Sequence, residues 1–187
     1  MKKIIIAAIF VFVGAASTQA QAVKFGLKGG INYANQSGSD ITVNNLNYKK
    51  SAITSYHAGL IAEIVLFKGF AVQPELLYST KGASYKYALT EFKNELGYLS
   101  IPVLAKINLN KSISLDLGPQ ASFLLSERKN VEFKDPTTFE FGGIAGLTLN
   151  LTRSIFLQGR YVFGLTEASK DAEVKNSVVQ ISAGLKF

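Results

Sequence analysis

The 187-residue chain has no cysteine, one histidine and four prolines. Without cysteine there is no disulfide framework, no thiolate metal site and no cysteine nucleophile. A lone histidine with no cysteine also argues against a zinc enzyme. Charge is scarce: 18% of residues are Asp, Glu, Lys or Arg, against about a quarter in ordinary soluble domains. Amphipathic helices of useful length are missing too. The best candidate, ALTEFKNEL over 88–96, lies between strand-like segments and reads as loop. After the first residues no apolar run is long enough for a transmembrane helix, which needs roughly twenty residues.

What the chain has instead is apolar bulk (48% hydrophobic), 16 glycines and the aromatic rings of 13 Phe and 8 Tyr. Its beginning, MKKIIIAAIFVFVGAASTQAQA, places Lys2 and Lys3 before an uncharged run from Ile4 to Ala16 and then small residues. That is the layout of a secretory signal peptide, and the run is too short for a membrane anchor. The expected division is a signal peptide over 1–20, cut near Ala20 or Ala22, and one domain over 21–187.

Alternation of apolar and polar residues marks eight strand segments, at 23–33, 55–66, 70–79, 98–107, 112–125, 139–149, 154–165 and 177–187. The connections alternate in length. Long ones run over 34–54, 80–97, 126–138 and 166–176, and short ones join the other neighbours at Phe67–Gly69, Asn108–Lys111 and Asn150–Arg153. Eight up-and-down strands with long loops at one end and tight turns at the other describe a small outer-membrane barrel. The three prolines Pro74, Pro102 and Pro119 fall inside strands. Each is expected at a bulge or a strand end, because a closed barrel has no edge to absorb a missing N–H.

Sorting the strands by parity separates two faces. One holds Phe25, Leu27, Ile31, Tyr56, Leu60, Leu115, Leu157, Ile181, Phe187 and many like them, with no charged residue. The other holds Lys24, Lys28, His57, Glu63, Gln73, Glu75, Lys106, Asp116, Gln120, Glu140, Gln158, Arg160 and Lys186, with eight glycines among them. An eight-stranded barrel has an interior just wide enough for side chains. The bulky apolar set does not fit there, and the glycine-thinned polar set does. The apolar face must therefore point outward, into lipid. A Lys or Arg facing lipid at the midplane would cost about 2–4 kcal/mol. Aromatics near the strand ends, Tyr33, Tyr56, Tyr78, Phe123 and Phe163 at one end and Phe25, Phe70 and Phe187 at the other, fit interfacial girdles.

The stretches YHAGLIAEIVLFKGFAVQPELLYSTKG, GYLSIPVLAKI, LDLGPQASFLL and LQGRYVFGLT resemble, in the same order, the PorT-family outer-membrane β-barrel domain of Bacteroidetes. The resemblance implies an eight-stranded antiparallel up-and-down transmembrane β-barrel in a Gram-negative outer membrane. It implies no established activity for most members, and a role in type IX secretion for one branch. Phe187 resembles the last-strand signal read by the outer-membrane assembly machinery.

The inward charges Lys28, Glu63, Glu75, Lys106, Asp116, Glu140 and Arg160 are expected to pair as a plugging network, since buried charges must be paired. His57 with Ser100, Ser122 or Glu63 has the residue types of a hydrolytic site, but nothing marks them, so no catalytic residue is assigned. No cofactor or metal site is expected. Lys49, Lys50, Lys81, Lys86 and Lys93, interleaved with tyrosines in the loops, are candidate contacts for lipopolysaccharide phosphates or a protein partner. Nucleic acid is not expected as a partner, despite the basic balance. The resulting expectation is a non-enzymatic membrane anchor or interaction scaffold, with periplasmic termini, extracellular loops and a sealed polar interior. A small pore, a transport or secretion accessory bound to another envelope protein, and a lipid-modifying enzyme are the alternatives.

Overall fold

The computed structural model describes residues 23–37, 41–43, 46–87, 90–128, 138–165 and 175–187. The expected signal peptide lies outside the described residues. The described residues form nine strands: β1 (Val23–Ser37), β2 (Ile41–Val43), β3 (Leu46–Phe67), β4 (Phe70–Tyr87), β5 (Thr90–Asn108), β6 (Ile113–Arg128), β7 (Phe139–Asn150), β8 (Ile155–Gly164) and β9 (Lys175–Lys186). Eight of them make one antiparallel sheet in the order β1-β9-β8-β7-β6-β5-β4-β3, and β1 pairs with β3 to close it. The short β2 pairs only with the start of β3. The result is a closed eight-stranded barrel, so no barrel strand leaves an edge within the wall.

The two faces follow from alternation. Leu60 and Ile181 are 49% and 59% exposed, while their neighbours Ile61 and Gln180 are buried. Of the outward apolar set whose side chains are described, only Ala62 is buried. The exposed charges among the described residues are Lys24, Lys68, Lys111 and Arg153, all at the tight-turn end, so the apolar band between the ends carries none. Tyr56 and Tyr78 approach to 6.3 Å between ring centroids, and Phe123 and Phe139 to 5.2 Å, on the long-connection side. Phe67 and Phe70 stack at 5.2 Å at the other end. Phe187 donates its N–H to Phe25 O at 2.9 Å, which carries the β9–β1 seam to its end.

The strands run further than alternation suggests. Residues read as loop over 34–54 and 80–97 continue β1, β3, β4 and β5, and only 88–89 separate β4 from β5. The helix-like stretch at 88–96 is strand from Thr90. The reason is physical. Alternation reports one face in lipid and one in the lumen, and a strand that has left the membrane has water on both sides, so its pattern vanishes while its ladder persists.

The prolines also differ from expectation. The register shifts lie at Ala52/His57, Val65/Phe67 and Gly97/Tyr98, away from every proline. Register is instead continuous through Pro74↔Val103, Pro102↔Gln120 and Pro119↔Gly143. The ladder lapses for two positions and resumes at Leu77↔Ser100 and Ala105↔Leu117. The prolines sit side by side across β4, β5 and β6, so the missing donors are gathered in one patch of wall.

Glycine makes the lumen fillable. Along one cross-strand row Gly146 stands between Asp116 and Arg160, along the next Gly30 stands between Ser182 and His57, and along a third Gly184 stands between Phe156 and Lys28. A Cβ at Gly184 would come within 2.2 Å of the Phe156 ring, and one at Gly146 within 2.5 Å of Arg160 Cβ. In a tube this narrow a large inward side chain needs a neighbour with none.

Candidate functional site

The lumen is crossed by a connected polar network. Glu75 on β4 is its hub. Its Oε2 accepts from Lys28 Nζ on β1 and from Arg160 Nη1 on β8, both at 2.7 Å, and its Oε1 accepts from Gln73 Nε2 at 2.8 Å. Lys106 on β5 donates to Gln73 Oε1 at 2.9 Å and lies 3.3 Å from Glu63 and 4.0 Å from Asp116. Asp116 on β6 accepts from Gln158 Nε2 at 2.8 Å and from Thr148 Oγ1. Lys28 closes the loop by donating to Gln158 Oε1 at 2.8 Å. Toward the long-connection side Arg160 Nε donates to Gln180 Oε1 at 2.5 Å, and Gln180 Nε2 to Asn32 Oδ1 at 2.7 Å.

Lys28, Glu63, Glu75, Lys106, Asp116, Glu140 and Arg160 are all buried, and Lys186 joins them through a 2.7 Å contact with Glu63. Four cations thus face four carboxylates, the balance a low-dielectric interior requires. Lys24, read as inward, is exposed at the tight-turn mouth.

Alternation alone did not show the lumen's apolar share. Leu104, Ile144, Val162 and Val178 form a buried cluster on inward positions. They lie on one cross-strand row through Gly118↔Ile144, Ile144↔Val162 and Val162↔Val178. Beside this cluster a cavity against Gln120, Ser122 and Glu140 measures only about 10 Å³, about the least that holds one water. The interior is therefore polar along one part of its wall and apolar along another. The second escaped the sequence because an apolar residue inside a lipid-facing barrel breaks no rule of parity.

His57 does not meet Ser100, Ser122 or Glu63. Ser100 and Ser122 bond each other at 3.0 Å, and Glu63 is held by Lys186 at 2.7 Å. The partners of His57 are Asn32 and Ser182, because Gly30 separates β9 from β3 along its row. Asn32 Oδ1 can only accept, so His57 Nδ1 donates to it at 2.7 Å and Nε2 accepts from Ser182 Oγ at 2.8 Å. Asn32 Nδ2 in turn donates to Thr80 O at 2.8 Å. The connectivity is that of a nucleophile, a base and an orienting amide. However, all three are at most 2% exposed, and a reacting carbonyl must come within about 3 Å of the nucleophile. In this geometry the trio is a packed, mutually satisfied seal.

Lys49, Lys50, Lys81, Lys86 and Lys93 have described backbone but undescribed side chains. The register sets Lys49 beside Lys86, Lys86 beside Glu91, and Ser84 beside Lys93, all beyond the membrane-length parts of β3, β4 and β5.

Residues 17–170 match the family model described as outer membrane protein beta-barrel domain. No curated protein matches the chain. Among solved structures, Ail of Yersinia pestis in complex with the heparin analogue sucrose octasulfate is 15% identical, with a TM-score of 0.52 over 88% of this chain and 99% of that one. OprG of Pseudomonas aeruginosa is 16% identical, with 0.52 over 89% and 97%. Neisserial surface protein A is 11% identical, with 0.55 over 90% and 100%. At such identities the likeness is one of fold. Closure of the eight strands, the lipid-type outer face and the matched span agree: this chain belongs to the outer membrane protein β-barrel domain family.

Proposed function

We propose that this protein is a non-enzymatic outer-membrane anchor whose sealed barrel holds the β3–β4–β5 hairpins at the cell surface to contact anionic sugar, first of all lipopolysaccharide phosphates. The observation that carries the reading is the contrast between a filled lumen and over-long strands. β3, β4 and β5 have 22, 18 and 19 residues, where about 9–11 cross a membrane. Roughly half of each strand therefore projects, and the projection carries Lys49, Lys86 and Lys93 at neighbouring register positions. Cations on a pinned sheet suit phosphate and sulfate oxygens. Ail, a barrel of like fold, was crystallised with a sulfated sugar, which supports the class of ligand. In this reading the long connections face outward, and the tight turns and both termini face the periplasm. The PorT-like stretches suggest a Bacteroidetes branch of the family, and Phe187 the assembly signal.

The test is binding of lipopolysaccharide and of sucrose octasulfate to the folded barrel in nanodiscs. The K49Q/K86Q/K93Q variant is expected to bind at least tenfold more weakly, with a shallower salt dependence. Equal binding by wild type and variant would refute the contact surface. Co-purification of a stoichiometric envelope protein from native membranes would favour the secretion-accessory alternative instead.

A further inference from the structure

We propose that the tight-turn mouth of the barrel is a binding bowl for a small multivalent anion of the organic phosphate or carboxylate class. The mouth forms an open concavity of about 810 Å³, within the roughly 300–1,000 Å³ range of small-molecule sites. Five cations line it, Lys24, Lys68, Lys111, Arg153 and Lys186, against one carboxylate, Glu63. The distribution is systematic. Each of the three tight turns contributes one cation, Lys68 between β3 and β4, Lys111 between β5 and β6, and Arg153 between β7 and β8. The turn residues 68–69, 109–112 and 151–154 contain no Asp or Glu.

Glu63 does not neutralise this rim. It lies on the floor, where Lys186 Nζ reaches it at 2.7 Å and Lys106 Nζ at 3.3 Å. One carboxylate already shared by two ammonium groups leaves the turn cations unanswered. The floor is also closed. Phe156 is fully buried behind it, with Lys186 Nζ 5.1 Å and Lys106 Nζ 5.8 Å from its ring centroid. An anion entering the bowl meets a blind end, so the geometry suits binding rather than passage.

The rim is preorganised as well. Asn110 Oδ1 accepts from the amides of Ser112 and Ile113, both at 2.8 Å, and Thr152 Oγ1 accepts from the amide of Ile155 at 2.9 Å. These side chains lock the turns that carry Lys111 and Arg153. Like charges held in place around a concavity repel one another and focus a positive potential into it. A ligand with two or more negative groups relieves that repulsion without first ordering the turns. A soluble diphosphate or dicarboxylate and the headgroup of an anionic phospholipid share this chemistry. The inference stands whichever side of the membrane the turns face.

The experiment is calorimetric titration of inorganic pyrophosphate into the full barrel in phosphatidylcholine nanodiscs, repeated in discs containing phosphatidylglycerol. Saturable one-to-one binding is expected in phosphatidylcholine. It should weaken at least tenfold in K68Q/K111Q/R153Q and persist in K68R/K111R. These tip residues are exposed, so all variants should keep the gel-mobility change on boiling that reports a folded barrel. Undiminished affinity in phosphatidylglycerol discs would identify a soluble anion as the occupant. A tenfold loss there would identify the lipid headgroup. Unsaturable uptake in phosphatidylcholine, or equal affinity in wild type and the glutamine variant, would overturn the proposal.

Discussion

Glu75 holds two cations with one carboxylate oxygen, so its loss strands both. Lys28 and Arg160 each lie 2.7 Å from Glu75 Oε2 with side chains fully shielded. Removing one partner of a buried pair typically costs about 3–5 kcal/mol, because the other charge stays desolvated. Glu75→Gln keeps the shape and deletes the charge, so the expected loss is of that order in reversible urea unfolding of the barrel in detergent. A loss under about 1 kcal/mol, the range of exposed pairs, would show that water reaches the site. His57 behaves differently. Its bonds to Asn32 and Ser182 are neutral, and neutral bonds contribute about 0.5–1.5 kcal/mol each. His57→Ala and Ser182→Ala should therefore destabilise modestly, and lipid A extracted from cells expressing either variant should match wild type. A changed lipid A profile would mean that Ser182 is reached by substrate. The inward positions of Glu75, Arg160 and His57 are legible in the sequence from parity alone. Their partners are not, because the choice of Ser182 over Ser100 depends on which strands lie across the seam at Gly30.

The strands show where alternation works and where it stops. In β8 every second residue from Phe156 to Val162 is buried and the residues between are exposed, and there the sequence reading is nearly complete. In β4 and β5 the same logic ends near Ser79 and Tyr98, yet the ladder continues to Tyr87↔Thr90. The backbone ladder outlasts the alternation that the sequence shows. The prolines tell a related story. Single-strand rules send each one to a bulge, but the wall accepts three together across β4, β5 and β6 by letting adjacent pairs lapse in step. The projecting hairpin can be tested by shortening it. Residues 83–86 pair with 91–94 in unbroken register. Deleting both sets removes four residues from each strand, an even number, so no inward side chain is turned outward. The shortened protein should keep its urea midpoint and boiling-dependent gel mobility, while lipopolysaccharide binding falls with the loss of Lys86 and Lys93. A collapse of stability would show that the projection is part of the barrel's core.

Taken together, the parts of the lumen divide the labour between them. The tight-turn mouth is cationic and blind, the middle is crossed by the Glu75 network, and beside that network runs the apolar row of Leu104, Ile144, Val162 and Val178. A conducting pore needs a continuous wet path, and the network and the apolar row each oppose one in their own way. In the middle, Lys28, Glu75, Gln158 and Arg160 join opposite walls through contacts of 2.7–2.8 Å, which leave no width for a hydrated ion. Beside it, the aliphatic cluster narrows the lumen to a cavity of about 10 Å³, and a charge buried there without a partner would cost several kcal/mol. Planar bilayers holding the purified barrel should therefore stay silent, without discrete conductance steps at moderate voltage. Glu75→Gln should leave them silent too, because the apolar row remains. Opening the tube should require both changes at once, Glu75→Gln with Ile144→Gly and Val162→Gly. Discrete steps from the wild-type protein would identify a small pore and displace the anchor reading. Steps from Glu75→Gln alone would show that the polar network is the whole seal.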